Sequence, residues 1–356
     1  MKRIDFIKKS ITEGTCVRSE VHEDSATMQY FNTIGESMDI SSFPMVPINT
    51  IEKRIFMLQG ADGQCFLVFD AYLLENIYTL SHILYINDDQ KLLQSFMWKA
   101  LSEECYTYHK MNSALKFATK YMNCLENVIN EIKGGAFPER ESDILFIQQA
   151  FLIAHEIYHY SIHRDLNTQS RELDSKKSYL KFLYDYMSFH FPGISDGREA
   201  LINNQLLAEE CYCDSAGIIH AIDIGVKVKR LDAAEAGVAA TLALMNQYII
   251  SIIQEWVKTS GNVSIEKLHN LFLLRLVNLK AFTRDYLKEC YETSDEREYR
   301  KLIKEVNDKW EMNIFDPVLN VLKECYLDVQ EADTLQVLTK EEKKRIKAVL
   351  WGVFCL

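Results

Sequence analysis

Apolar residues recur at steps of three and four positions along most of the chain, which is the pattern of helices with one buried face. Three helix starts are predicted by capping residues. Ser142 is a candidate N-cap, and Thr293 with Glu296 and Thr339 with Glu342 fit capping boxes. The predicted helices cover residues 71–84, 88–110, 111–133, 142–163, 170–190, 198–224, 232–258, 264–291, 296–310 and 340–354.

The strongest strand signal lies between residues 54 and 69. Two β-prone runs, Arg54–Leu58 and Cys65–Phe69, flank an Asp-Gly pair, which predicts a hairpin. Both runs are apolar on both faces, so other elements should cover the two sides of this sheet. Just before it, Pro44 and Pro47 prevent a regular helix. The predicted fold class is therefore α+β, mostly α, with a small β-sheet and many helices.

This organisation predicts three parts. They are an N-terminal segment over residues 1–50, a central domain over 51–260 that begins with the hairpin, and a C-terminal helical region over 261–356. No internal repeat is visible in the sequence.

Composition narrows the class of protein. The 356 residues are 48% hydrophobic and 26% charged, which allows a large core. The formal net charge is −11, whereas nucleic-acid and anionic-membrane binders need a basic face, so we expect neither partner. Nine cysteines stand at no framework spacing, so we expect reduced thiols and a cytoplasmic location.

Two segments bear on membrane insertion. The N-terminal residues are basic but lack an apolar core after them, so a secretory signal is not expected. Ala236–Ile253 is apolar over most of its length, yet Asn246 and Gln247 stand near its middle. Because these amides would be costly in lipid, we expect a helix buried in the protein rather than a membrane span.

The clearest chemical motif is His155-Glu156-Ile157-Tyr158-His159, an H-E-x-x-H sequence on a predicted helix. Residues four apart lie on one helix face about 6 Å apart, so His155 and His159 can bind one Zn²⁺. Glu156 lies about 100° around the helix from His155, where its carboxylate can take a proton from water. The alternative is a pair of core histidines hydrogen-bonded to carbonyls, with Glu156 at a solvated edge.

A catalytic zinc needs a third protein ligand, and the nearest residues serve poorly. His163 shares the helix face but lies about 12 Å from His155 along the axis, too far for one ion. Cys211 and Cys213 point about 200° apart on a helix, and Cys213 is expected to be a small buried residue near the site.

A second predicted helix offers a better ligand, Glu210. It stands four residues before Asp214, which could accept a hydrogen bond from the far ring nitrogen of a zinc-bound histidine. Glu209 is an alternative ligand, but it has Cys213 rather than an acidic residue four positions on. Gly217 lies one turn further along the Glu210 face and would let this helix cross closely over the H-E-x-x-H helix.

The two motifs, Ala154–His159 and Glu210–Gly217, together resemble the gluzincin class of zinc metallopeptidases, in which E-x-x-x-D follows H-E-x-x-H. The general organisation is also similar to that of the Lit-like phage-exclusion peptidases, cytosolic bacterial enzymes that carry H-E-x-x-H near the middle of the sequence. Both resemblances cover short motifs or general layout rather than the full length.

The gluzincin resemblance implies that residues 51–260 form a zincin-like metallopeptidase domain. It implies that Zn²⁺, bound by His155, His159 and Glu210, polarises a peptide carbonyl of an intracellular protein substrate and activates a water. Glu156 is then the general base, which passes the proton to the leaving amine.

The resemblance also implies a stabiliser for the oxyanion and a strand that binds substrate. The sequence gives no spacing signal for the stabiliser, and a tyrosine or histidine downstream is typical. An edge strand above the metal helix would pair with extended substrate, and the 54–69 hairpin is the strong candidate for it. The candidate stabilisers are Tyr158, Tyr212, His220 and Tyr248.

Two other classes of function stay open. One is a non-catalytic protein whose zinc only staples helices together. The other is a helical interaction or regulatory module with an accidental motif. The predicted helix over 340–354 is amphipathic and could dock a regulatory protein partner or pack on its own domain.

Overall fold

The protein is mostly helical, with one small sheet near its N-terminal end. The structure, a computed structural model, describes residues 3–12, 26–37, 44–60, 63–85, 90–132, 141–164, 205–262 and 265–330. The helices predicted over 170–190 and 340–354, and the capping box at Thr339, lie outside these residues.

Most of the predicted helices are present with bounds close to those expected, and the prediction of a mostly helical protein is confirmed. The helices are α1 Arg3–Thr12, α2 Ala26–Ser37, α3 Ala71–Tyr85, α4 Gln90–Thr107, α5 Met111–Ile132, α6 Glu141–Arg164, α7 Gln205–Ile224, α8 Ala233–Lys258, α9 Ile265–Cys290, α10 Thr293–Trp310, α11 Asp316–Glu324 and α12 Tyr326–Gln330. Short π-helical turns, Gly225–Lys229 and Glu311–Phe315, follow α7 and α10.

Two predicted helix starts are wrong. Helix α6 begins at Glu141, so Ser142 lies inside it and is not its N-cap. Helix α10 is capped by Glu292, whose extended backbone lets its N–H donate to the Asp295 carboxylate at 3.1 Å. Thr293 is therefore already helical, because an acidic residue one position earlier takes the capping role.

The predicted hairpin is confirmed, and a third strand joins it. Strand β2, Ile55–Gln59, pairs antiparallel with β3, Cys65–Asp70, with Ile55 opposite Phe69 and Gln59 opposite Cys65. Strand β1, Met45–Ile48, runs parallel to β3 on its other side, giving the order β1-β3-β2. Pro44 and Pro47 excluded a helix but predicted no strand here, and β1 tolerates Pro47 because it is an edge strand.

Both faces of the sheet are covered, as the apolar runs predicted. On one face, Val46 and Phe66 form a cluster with Ile7 and Ile11 of α1. On the other face, Leu67 and Phe69 join the main core. All of β3 is buried, whereas β2 lies at the sheet edge, is only half-buried and contacts α6.

Helix α8 runs through the centre of the core. By length and composition it could cross a membrane, but 89% of its apolar window is buried inside the protein. Its Asn246 is satisfied there, because the amide donates to Ser81 Oγ at 2.9 Å and accepts from Trp310 Nε1 at 3.2 Å. This burial agrees with the helix expected from the sequence. The core draws side chains from both sides of Gly261.

Helices α6 and α7 cross closely at Gly217. A Cβ atom at this position would lie 3.1 Å from the Phe151 carbonyl oxygen and 3.4 Å from the His155 nitrogen. The glycine thus brings α7 directly against the H-E-x-x-H turn of α6, as expected from its position on the Glu210 face.

Candidate metal centre

Two histidines and a glutamate meet where α6 faces α7. The Nε2 atoms of His155 and His159 lie 3.0 Å apart. Glu210 turns its carboxylate towards both, with Oε2 3.5 Å from His155 Nε2 and Oε1 3.3 Å from His159 Nε2. These three side chains are the ligands expected from the sequence, and one ligand atom from each lies within 4.8 Å of the others.

These separations fit a single small cation. Ligand atoms at about 2.0–2.1 Å from a tetrahedral zinc stand roughly 3.3 Å from one another. The two Nε2 atoms are 3.0 Å apart, and each lies 3.3 or 3.5 Å from a different oxygen of Glu210, so all three distances lie around that value. The donor set, two imidazole nitrogens and one carboxylate, is one that catalytic zinc sites use.

Each histidine has a carboxylate behind its other ring nitrogen. His159 Nδ1 is hydrogen-bonded to Glu209 Oε1 at 2.8 Å. His155 Nδ1 lies 3.0 Å from Asp214 Oδ1, at ion-pair distance but without the alignment of a hydrogen bond. A carboxylate at Nδ1 favours a proton on that nitrogen and leaves the Nε2 lone pair for a metal. Asp214 thus lies where the E-x-x-x-D spacing suggested, and Glu209 lies behind His159.

Sequence reasoning missed Arg275 of α9, the cation that binds Asp214 and Glu210. Its Nε and Nη2 donate to the two oxygens of Asp214 at 2.9 and 2.8 Å, and its Nη1 lies 2.9 Å from Glu210 Oε2. Such a bidentate contact fixes the plane of the carboxylate. The only signal was a lone arginine within the apolar run Leu271–Val277.

Arg275 keeps both acids ionised. Burial works against ionisation, but Arg275 outweighs it and holds the pKa of Asp214 below its usual value. Burial is likewise outweighed at Glu210, where Arg275 and the two histidines lower the pKa. Both groups are therefore anionic at neutral pH.

The pKa values of the two histidines are shifted upwards, opposite to those of the acids. Burial lowers the pKa of His155, but contacts with Asp214 and Glu210 outweigh it and raise this pKa to about 10. Without a metal, His155 therefore keeps a second proton at neutral pH, and a divalent cation would displace that proton.

Glu156 lies at the same turn of α6 and is half-buried. Burial raises the pKa of its carboxyl group, while the nearby histidines act in the opposite direction. A carboxyl group whose pKa is raised towards neutrality accepts and returns a proton more readily than an ordinary glutamate.

The candidate oxyanion stabilisers separate into two places. The Tyr158 hydroxyl is hydrogen-bonded to His220 Nε2 at 2.9 Å, and the Tyr212 ring stands edge-on to Tyr158 at 6.2 Å. Tyr248 instead stacks on Phe272 at 3.8 Å in the main core. Three of the four residues thus form one aromatic group between α6 and α7.

The remaining residues weighed as ligands fall into two kinds. Cys211 and Cys213 of α7 are buried thiols in a small apolar cluster that also includes Ile162 of α6 and Leu274 of α9. Burial raises the pKa of the Cys213 thiol, which keeps it protonated. The side chain of His163 lies outside the part of the protein that the structure describes.

The centre therefore combines three potential ligands with two supporting carboxylates, an arginine and a half-buried glutamate. Such a group can hold a divalent cation and can move a proton. Comparison of the sequence and fold with protein-family models, with curated proteins and with solved structures found no match in any of the three.

Proposed function

We propose that this protein is a zinc-dependent peptidase in which His155, His159 and Glu210 hold Zn²⁺. The observation that carries the proposal is the convergence of their ligand atoms on one point, with a carboxylate behind each histidine. Two core histidines that only satisfied each other would not need an ionised glutamate facing the same point.

A catalytic role is supported by what surrounds that point. Three protein ligands leave a tetrahedral zinc one position for water or substrate. Glu210 and His159 are partly exposed, with 34% and 20% of their side-chain surface accessible, so solvent can reach the ligands. Glu156, of raised pKa, stands on the same helix turn.

In the proposed reaction, bound Zn²⁺ would polarise the scissile carbonyl and lower the pKa of a water. Glu156 accepts the proton of the attacking water and passes it to the leaving amine. Asp214 and Glu209 hold the imidazole rings in place, while Arg275 fixes the plane of the Asp214 carboxylate and pairs with one oxygen of Glu210.

We further propose that the substrate is an intracellular protein or peptide, cleaved in the cytoplasm. Strand β2 is an edge strand that contacts α6, so an extended substrate could add to it by backbone hydrogen bonds. The Tyr158–His220 pair and Tyr212 are the residues we propose for oxyanion stabilisation, because they lie together beside the motif.

A structural zinc site is the second candidate function. It is favoured by Arg275, because this side chain joins α9 to α7, while the ligands themselves come from α6 and α7. A site that ties three helices together would stabilise the fold whether or not it cleaved peptides.

The experiment is a proteome-wide comparison of protein N-termini in cells that express wild type or Glu156→Gln. We expect new N-termini with wild type that disappear with Glu156→Gln, while purified protein of both kinds keeps its zinc. Glu298→Gln, an exposed change on α10, is the matched control and should behave as wild type. If Glu156→Gln yields the same new N-termini as wild type, the general-base assignment is wrong.

A further inference from the structure

A cavity of about 250 Å³ lies between α8 and α10, closed by the end of α3 and the start of α6. None of its described lining residues belongs to the candidate metal centre. The lining residue on α6 is Ile144, which precedes His155 by eleven residues, or roughly 16 Å of helix. The cavity is therefore a site of its own and not an extension of the metal centre.

The walls of the cavity are apolar. Of the ten lining residues that the structure describes, seven are aliphatic, and three of these are buried. The other four are half-buried, since each packs on the main core with one side and keeps accessible surface on the other. The aliphatic lining residues are Leu84, Ile144, Leu231, Val238, Ala239, Leu302 and Val306. Apolar side chains thus surround a space that they do not fill themselves.

The charged residues of the lining select no sign of charge. Glu235 is half-buried and already interacts within the protein. Glu305 and Lys309 are exposed and stand four residues apart on α10, so they share one helix face with opposite charges. Because these two charges offset each other, the edge of the cavity favours neither a cationic nor an anionic ligand.

The volume sets the size of an occupant. An apolar protein cavity of about 150 Å³ binds benzene, so the present volume would hold roughly ten non-hydrogen atoms. Such an occupant would supply the packing contacts that the aliphatic walls lack, and its binding would stabilise the folded protein.

We propose that this cavity binds a small uncharged apolar molecule of about the size of an alkylbenzene. Removal of ligand and wall surface from water drives the binding. A charged ligand is disfavoured, because it would give up hydration against walls that carry no polar side chain. The site is independent of the proposed peptidase activity, so its occupation should leave the zinc content unchanged.

The test uses three probes with the same ten carbons on the full-length protein: n-butylbenzene, 4-phenylbutyrate and 4-phenylbutylammonium. Isothermal titration should give one saturable site for n-butylbenzene and binding about fivefold weaker, or less, for either charged probe. At ten times its dissociation constant, n-butylbenzene should raise the Tm by about 2 °C. Absence of n-butylbenzene binding, or equal binding by either charged probe, would overturn the proposal.

Variants locate the site. Val306→Phe adds a ring at a half-buried lining position of α10 and should weaken n-butylbenzene binding about tenfold or more, because the ring takes up the ligand's volume. Leu302→Phe is the second filling variant, used if the first fails to fold. Leu319→Phe makes the same change at a half-buried position of α11 outside the described lining, and should bind as wild type. Unchanged binding in the folded filling variants would place the ligand elsewhere and contradict the proposal.

Discussion

Two buried clusters in this molecule are each built on consecutive glutamates of one helix. Glu103 and Glu104 of α4 hold the ammonium group of Lys53, whose Nζ lies 3.0 Å from Glu103 Oε2 and 2.8 Å from Glu104 Oε1. The hydroxyl of Tyr72 also donates to Glu103. Glu209 and Glu210 of α7 face His155 and His159 instead. Among the residues that the structure describes, no lysine lies between these acids and the histidines.

The clusters differ in what occupies their centres. In the first, Lys53 is a cation that the protein itself supplies, and the side chains of Lys53, Glu103 and Glu104 are only 1–3% exposed. In the second, the arginine lies beside Glu210 rather than between it and the histidines. A buried pair of acids therefore indicates a metal only where imidazole nitrogens converge with a carboxylate and no lysine or arginine lies between them.

The largest expected effect comes from removing the protein's own cation. Lys53→Met leaves two glutamates buried without their partner, which should lower the free energy of unfolding by about 3–5 kcal/mol. Urea denaturation measures it, with Lys258→Met as the control because Lys258 is largely exposed. Zinc binding should not change. A loss below about 1 kcal/mol would mean that the lysine does not hold the first cluster together.

Metal removal should affect only the second cluster. Zinc at one hundred times its dissociation constant should stabilise the folded protein by about 2.7 kcal/mol, and a chelator should abolish this gain. His155→Ala should abolish it as well, whereas Lys53→Met should keep it. Thermal unfolding with and without zinc measures the difference, and an equal rise in Tm for His155→Ala would place the metal elsewhere.

The role of Arg275 gives a smaller effect. Arg275→Lys keeps the positive charge but loses the two-pronged contact with Asp214, so both acids lose their fixed orientation. Zinc affinity should fall about tenfold, the usual size of an effect on groups that support metal ligands. Competition with a chromophoric chelator measures it. Unchanged affinity would show that Asp214 and Glu210 need no external orientation.

A carboxylate outside both clusters should give the smallest effect. Asp223 accepts hydrogen bonds from Tyr286 and Tyr291 at 2.6 and 2.8 Å and pairs with Lys227. Burial opposes its ionisation, but these contacts outweigh burial and lower its pKa. A carboxyl group whose pKa is lower in the folded than in the unfolded protein stabilises the fold at pH values above the unfolded-state pKa, about 3.9 for aspartate. This stabilisation is lost as the pH falls through the folded-state pKa.

Asp223→Asn should therefore cost about 1 kcal/mol at pH 6 and progressively less below pH 4. Urea denaturation of wild type and variant over this pH range measures the change. A difference between them that does not vary with pH would contradict an ionised Asp223.

Local patterns predicted much of the fold. The hairpin turn and the helix periods depend on neighbouring residues, and both are present in the structure. Strand β1 was missed because its pairing with β3, 22 residues away in register, cannot be deduced from the proline-containing sequence alone. The error at the start of α10 arose because Glu292, one position earlier than expected, takes the N-cap position.

The candidate site divides in the same way. The pairing of His155 with His159 followed from helix periodicity, whereas Glu210 was expected from the resemblance of its E-x-x-x-D motif to the gluzincin pattern. The role of Arg275 could not be predicted from local spacing, because Arg275 comes 61 residues after Asp214. Only the packing of α9 on α7 brings the two side chains together. The Lys53 cluster, which joins residues about 50 positions apart, was missed for the same reason.

The most direct test of the central claim is the metal content of purified protein, measured by mass spectrometry. We predict about one zinc per molecule in wild type and in Glu156→Gln, and none in the double variant His155→Ala/His159→Ala. Circular dichroism must show that the double variant keeps its helical content. Equal zinc in the folded double variant, or none in wild type supplied with zinc, would contradict a metal centre at these residues.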